Sequence, residues 1–239
     1  MTLRKLGSSE LRISSIGVGC MNLGPLCDQA TADAIVNTAF DLGVNFFDVA
    51  DIYGGSMGRS EAMLGKALGA RRPGVIVATK FGARLGGQGG AGTGGGSADY
   101  IVKAVEASLT SLGTDYIDLY QHHFPDVGTP IEETLRTLDD LVRKGKVRYI
   151  GCSNYSGAML NNAFDVTARL KLTPFVSAQN RYSLLTRDIE TDLVPACLAH
   201  DVGVLPYFPL ESGLLSGKYR KGQPLPPDSR FAKWRGGGS

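Results

Sequence analysis

The sequence predicts an α/β protein whose parallel strands close as a (β/α)8 barrel, and two observations predict it. Short apolar segments of strand character recur seven times along the chain between helix-patterned segments, at a spacing of about 30 residues, the length of a strand-helix-strand unit with its right-handed crossover. Each segment also ends abruptly in polar or charged residues, and the carboxyl ends of the strands are where parallel α/β folds carry their chemistry. A doubly wound open sheet is the alternative, but no Gly-x-Gly-x-x-Gly turn follows the first strand.

Arg4 to Ile13 alternates around Gly7, Ser8 and Ser9, the pattern of a short hairpin that plugs or covers the body to come. Ile16 to Cys20 reads as the first buried strand, and its exit at Gly19, Cys20 and Met21 offers backbone that a ligand can approach closely because glycine leaves room. Ala34, Ile35, Ala39, Phe40 and Leu42 share one helical face, stopped by Gly43.

Val44, Phe46 and Phe47 form the second strand, which runs into Asp48, Asp51 and Tyr53. A carboxylate at such a position needs a cationic or hydrogen-bonding partner. Ser60 is placed to cap a helix carrying Met63, Leu64, Ala67 and Leu68 on one face. Val75 to Thr79 is the third strand and ends on Lys80. The glycine-rich stretch from Gly82 to Ser97 cannot bury enough surface to order itself and reads as a mobile loop within one domain spanning 1–239, not as a domain boundary.

Ile101, Val105, Ser108, Leu109 and Leu112 give the next helix its inward face, and Tyr116 to Gln121 is the fourth strand, followed by His122 and His123. Thr129-Pro130-Ile131-Glu132 combines a capping box with proline at the first helical position. Val147 to Cys152 exits into Ser153 and Asn154, and Phe175 to Ala178 exits into Gln179. A helix from about Asp188 to His200 precedes the last strand, Val204 to Pro206, which leads into Tyr207, Phe208, Pro209 and Leu210.

Asp48, Tyr53, Lys80 and His123 stand at the ends of neighbouring strands and can converge on one spot. A phenol beside a lysine ammonium is expected to have a lowered pKa, with a carboxylate holding the ammonium in place and a histidine orienting a substrate oxygen or sharing its proton transfer. Singly, each residue has a plainer explanation, such as a lysine reaching outward from a strand end or a hydrogen-bonded loop histidine. Adjacent histidines on a strand point to opposite faces, so His122 and His123 do not jointly ligate a metal with Asp48, and no metal is expected.

These residues and their surroundings resemble the aldo-keto reductases, and the resemblance covers nearly the whole chain. It rests on Phe47-Asp48-Val49-Ala50-Asp51-Ile52-Tyr53-Gly54 with Ser60-Glu61, on Thr79-Lys80-Phe81-Gly82, and on Thr114 to His123. Gly151-Cys152-Ser153-Asn154, Gln179-Asn180-Arg181-Tyr182, Pro209-Leu210 and Ser212 to Tyr219 extend it. The resemblance implies an NADP-dependent reduction of an aldehyde or ketone, with Tyr53 as proton donor, Lys80 and Asp48 tuning it, and His123 positioning the carbonyl. It implies that Ser153, Asn154 and Gln179 hold the nicotinamide carboxamide, that Tyr207 stacks on the ring, and that Tyr207 to Leu210 meet the nicotinamide and pyrophosphate. Because channel-associated subunits resemble the same family, a non-catalytic or regulatory cofactor-binding protein is the alternative. His122 stands where the family more often has an aliphatic residue, and it is expected to face away from the site. The family continues through an eighth strand and last helices beyond Ser239. A polypeptide ending there is expected to be unstable alone and to bind NADPH weakly, for want of the usual basic clamp on the 2′-phosphate.

Composition agrees with a globular protein that acts on a small molecule. The chain has 239 residues, 43% of them hydrophobic, and a net charge of +2 without a basic stripe, so nucleic acid is not an expected partner. No run approaches the roughly 18 apolar residues of a membrane span, and Met1 to Glu10 is too polar for a secretory signal, which makes the cytoplasm the default location. Cys20, Cys27, Cys152 and Cys197 lack zinc or redox spacing and read as buried reduced thiols.

Overall fold

The computed structural model describes residues 1–83, 95–227, 229 and 231–232. Its body is one parallel sheet of seven strands whose order in space is their order in sequence. Two antiparallel strands, β1 (Leu3–Lys5) and β2 (Arg12–Ser14), come first. The parallel wall is then β3 (Val18–Gly19), β4 (Phe46–Asp48), β5 (Ile76–Phe81), β6 (Ile117–His122), β7 (Val147–Ser153), β8 (Phe175–Arg181) and β9 (Gly203–Tyr207). Strictly sequential pairing has no point at which strand order reverses, which excludes the doubly wound alternative and gives the curled wall of a (β/α)8 barrel.

Six helices alternate with these strands: α1 (Gln29–Asp41), α2 (Arg59–Leu68), α3 (Ala98–Leu112), α4 (Ile131–Arg143), α5 (Gly157–Leu170) and α6 (Leu193–Ala199). Side chains alternate across the wall because the strand period is two. On β5, Val77 and Phe81 face the helices and join the larger core with Leu64, Ile101, Leu135 and Leu160. Ala78, between them, faces inward and joins Leu119, Phe46 and Val176 in a second cluster. The hairpin closes that inner cluster from below with Leu6, Leu11 and Ile13, as the alternating pattern predicts. Gly7, at φ 52, makes the docking possible, since a Cβ there would lie 2.4 Å from the Val176 carbonyl oxygen.

Three local expectations are corrected. Ser60 does not cap α2: the cap position is Gly58, at φ 72, and the Ser60 hydroxyl instead donates to the Cys20 carbonyl at 2.6 Å. At α4, Pro130 occupies the cap position and Ile131 is the first helical residue, while the Thr129 hydroxyl donates to Asp126 at 2.8 Å. The segment from Asp188 to His200 is not one helix but a 3-10 turn, Asp188–Glu190, followed by α6. Residues 84–94 of the glycine-rich stretch lie outside the described residues. At its far end the Gly96 N–H donates to Asp126 at 3.0 Å and the Thr134 hydroxyl donates to the Gly96 carbonyl at 2.7 Å.

Candidate active site

Lys80 is the centre of the mouth. It is completely buried, and its inward direction follows from the parity that points Ala78 inward one step below it. A buried ammonium must find acceptors for its three N–H groups, and Lys80 Nζ has Asp48 Oδ2 at 2.7 Å, the Val49 carbonyl at 3.0 Å and Tyr53 Oη at 3.4 Å. Asp48 ends β4 and Tyr53 stands on the turn that follows, so the strand register brings both to one cation. The His123 ring meets the Tyr53 ring edge-on at 5.8 Å between centroids. The structure therefore brings together all four residues singled out from the sequence.

Asp48 has a second side. Its Oδ1 accepts from Gln179 Nε2 at 2.8 Å and from Gln121 Nε2 at 3.4 Å. Gln121 is fully buried opposite Lys80 in the β5-β6 register, and the sequence reading missed it. The available signal was an amide near the end of a short strand-patterned segment, just before His122 and His123.

Around this centre, the Asn154 side chain donates to the His123 carbonyl at 2.9 Å and to the Ser153 hydroxyl at 3.1 Å, and it accepts from the Tyr207 hydroxyl at 2.8 Å. Ser153 in turn donates to the Gln179 carbonyl at 2.8 Å. Ser153, Asn154, Gln179 and Tyr207 thus form one continuous group at the ends of β7, β8 and β9. Across the mouth, the Cys20 N–H donates to the Asp48 carbonyl at 2.8 Å, and a Cβ placed on Gly19 would meet nothing within 4 Å. Met21 and Leu210 are exposed, and Phe208 holds a left-handed φ of 53 where the chain leaves β9 toward Pro209.

The electrostatics correct one expectation. Burial pushes the Tyr53 phenol above the ordinary tyrosine value, the Lys80 ammonium pulls it down, and the Asp48 charge adds to the burial effect, so the net direction is up. The lowering expected from Lys80 is present but outweighed. For Lys80 burial works downward, yet Asp48 and Tyr53 together outweigh it and hold the ammonium charged. Burial, then Lys80 and His122, push His123 down to about 2, so this imidazole is neutral and can donate or accept a hydrogen bond without bringing charge. Burial also keeps the Cys20 thiol protonated. His122 faces away from the mouth as expected, stacked on Phe81 at 5.0 Å with Nδ1 2.9 Å from the Tyr155 hydroxyl.

One family model, described as the Aldo/keto reductase family, matches residues 15–235 of this chain. The chain belongs to the aldo/keto reductase family. This membership supports an oxidoreductase. Among its relatives is a protein of Arabidopsis thaliana named as a probable voltage-gated potassium channel subunit beta, 37% identical over 97% of this chain and 70% of its own length. A second, from Glycine max, is named as probable aldo-keto reductase 1, with 38% identity over 90% of this chain and 61% of its own. A third, from Bacillus subtilis, is named as the uncharacterized oxidoreductase YrpG, with 39% identity over 90% of this chain and 68% of its own. Among the described residues, no helix is long and apolar enough to cross a membrane.

Proposed function

We propose that the protein is an NADP-dependent carbonyl reductase that converts an aldehyde or ketone to an alcohol, with Tyr53 as proton donor. The observation that carries this reading is the Lys80 ammonium, fully buried and bonded to both the Asp48 carboxylate and the Tyr53 hydroxyl. A bound nicotinamide cofactor supplies the hydride. Residues of this chain fit such a group: the open backbone at Gly19, the half-buried Tyr207 ring tethered through its hydroxyl to Asn154, the Ser153 hydroxyl beside Asn154, and the Gln179 side chain on Asp48.

As the carbonyl carbon gains hydride, negative charge develops on its oxygen. Tyr53 Oη transfers its proton to that oxygen, and Lys80 stabilises the phenolate left behind. Asp48 keeps Lys80 charged and fixed, and neutral His123 holds the carbonyl oxygen in position with a hydrogen bond. Water is kept from the base of the site by the apolar inner cluster and the hairpin plug below it.

The likeness to relatives named as probable voltage-gated potassium channel subunits favours a second reading, a non-catalytic or regulatory nicotinamide-cofactor-binding protein of the same fold. The two separate in one assay, in which oxidation of NADPH, and of NADH in parallel, is followed with a series of simple aldehydes. Substrate-dependent oxidation of a nicotinamide cofactor is expected. Tight cofactor binding with no turnover on any aldehyde would favour the second reading.

A further inference from the structure

Asp51 is a buried acid beside the site for which the chemistry above has no use. It is 4% exposed, neither of its carboxyl oxygens makes a hydrogen bond of ordinary geometry, and the donors that approach it are the Ile52 N–H and the Tyr100 hydroxyl. It dips between the sheet and two helices, where it faces Glu61 of α2, Tyr100 of α3, Tyr120 of β6, the Lys80 ammonium of β5 and the amide of Ile52. None of these forms an ion pair with it: Lys80 is committed to Asp48, and Glu61 is a second buried acid, accepting from the Thr79 hydroxyl at 2.6 Å. A buried carboxylate without a bonded cation beside another acid is strongly disfavoured in its charged form. Burial first, and then Glu61, accordingly push Asp51 up to about 7, against smaller opposing effects from Ile52, Lys80 and Tyr100.

The backbone of the same residue carries the turn that displays Tyr53. The Asp51 N–H donates to the Lys80 carbonyl at 3.1 Å, and the Asp51 carbonyl accepts from the Gly58 N–H at 2.6 Å. Tyr53 hangs between these anchors, its N–H donating to Ala50 at 3.1 Å and its carbonyl accepting from the Ser60 N–H at 3.2 Å. We propose that Asp51 is a positioning residue that seats the Tyr53 turn while its carboxyl is uncharged, so that ionisation loosens the turn and withdraws the proton donor. The effect on turnover rests on the reductase reading above; the effect on the fold does not.

The sign follows from linkage. A carboxyl whose folded pKa lies above its unfolded value binds more protons folded than unfolded, so its stabilising neutral form is fully present below about 4 and is lost as pH rises through about 7. His122 and His123, pushed down, act in the opposite sense and cost stability as pH falls below about 6.5. The readout is therefore the difference between wild type and Asp51→Asn, which mimics the neutral acid.

Without cofactor or substrate, the unfolding midpoint of Asp51→Asn relative to wild type should rise by about 4 °C between pH 5.5 and 8.5. With both added, the ratio of variant to wild-type kcat should rise about fivefold over the same range. In wild type alone, the amide resonances of Ile52 and Gly58 should shift with a common midpoint near 7. This last measurement needs neither a variant nor turnover. Parallel pH profiles for the two proteins, or an amide midpoint near the ordinary carboxylate value, would overturn the proposal. Absence of turnover would sink the reductase reading and leave the thermal and resonance tests standing.

Discussion

Two ionic networks lie toward opposite ends of the wall, one around Asp118 of β6 and the other between β4 and β5, and they are built differently. At the lower end of β6, Asp118 Oδ2 receives Arg72 at 2.7 Å and its Oδ1 receives Arg148 at 2.8 Å. The Val77 N–H donates to the same carboxylate at 3.0 Å. The Tyr116 ring lies 4.3 Å from the Arg72 guanidinium and 3.9 Å from that of Arg148. At the upper end, Lys80 meets Asp48 and a backbone carbonyl, and its last N–H goes to a phenol at 3.4 Å. Guanidinium is planar and always charged, so the lower network has two fixed partners around one carboxylate. An ammonium is a compact point charge whose remaining hydrogen bond can serve a titratable group. Position along the strand decides the rest: the Asp118 carboxylate is 1% exposed, whereas the upper pair opens onto the mouth, where Asp48 is 19% exposed.

If this division holds, each pair can be broken with a different consequence. Lys80→Met removes the cation that steadies the Tyr53 phenolate and raises the phenol further, so turnover should fall by about 10³-fold. Steady-state rates with the best aldehyde test this, and a rate within about tenfold of wild type would detach Lys80 from the chemistry.

Asp118→Asn should leave chemistry intact while stranding two guanidiniums, one of them buried, at a cost of about 3 kcal/mol. For a chain of this size that corresponds to an unfolding midpoint lower by roughly 6 °C or more, with kcat of the folded fraction preserved. Calorimetry beside rate measurement checks both halves. Arg148→Gln sharpens the comparison with the smallest effect: its side chain is 51% exposed, so water screens its bond to Asp118 and the loss should be about 1 kcal/mol or less. A loss as large as that of Asp118→Asn would show the lower network to depend on its outer arm.

The sequence makes the wall and the mouth legible because both follow from short-range rules. Alternation places Ala78 and Lys80 on the inner face, and abrupt polar residues at apolar strand ends mark where side chains gather. Two failures are those where another acceptor took a hydroxyl expected to cap a helix. Ser60 offered a local cap, but the Cys20 carbonyl, 40 positions earlier, takes its hydroxyl instead. Thr129 had the composition of a capping box, yet Asp126 holds it. The Tyr53 pKa failed for a different reason: the sequence shows which charge is near but not how much water has been removed, and burial outweighs Lys80. Gln121 was missed because an amide in a strand has meaning only once its register opposite Lys80 is known.

The central claim is that Tyr53 delivers a proton under the control of Lys80, and Tyr53→Phe tests it most directly because it removes one hydroxyl and keeps the ring. In a two-step mixing experiment, cofactor binding is read first from the change in nicotinamide fluorescence, and aldehyde is then added to follow a single turnover. The account predicts binding within about twofold of wild type and a chemical step slower by about 10³-fold. A variant that reduces the aldehyde at the wild-type rate, or that loses cofactor binding as completely as it loses turnover, would contradict it.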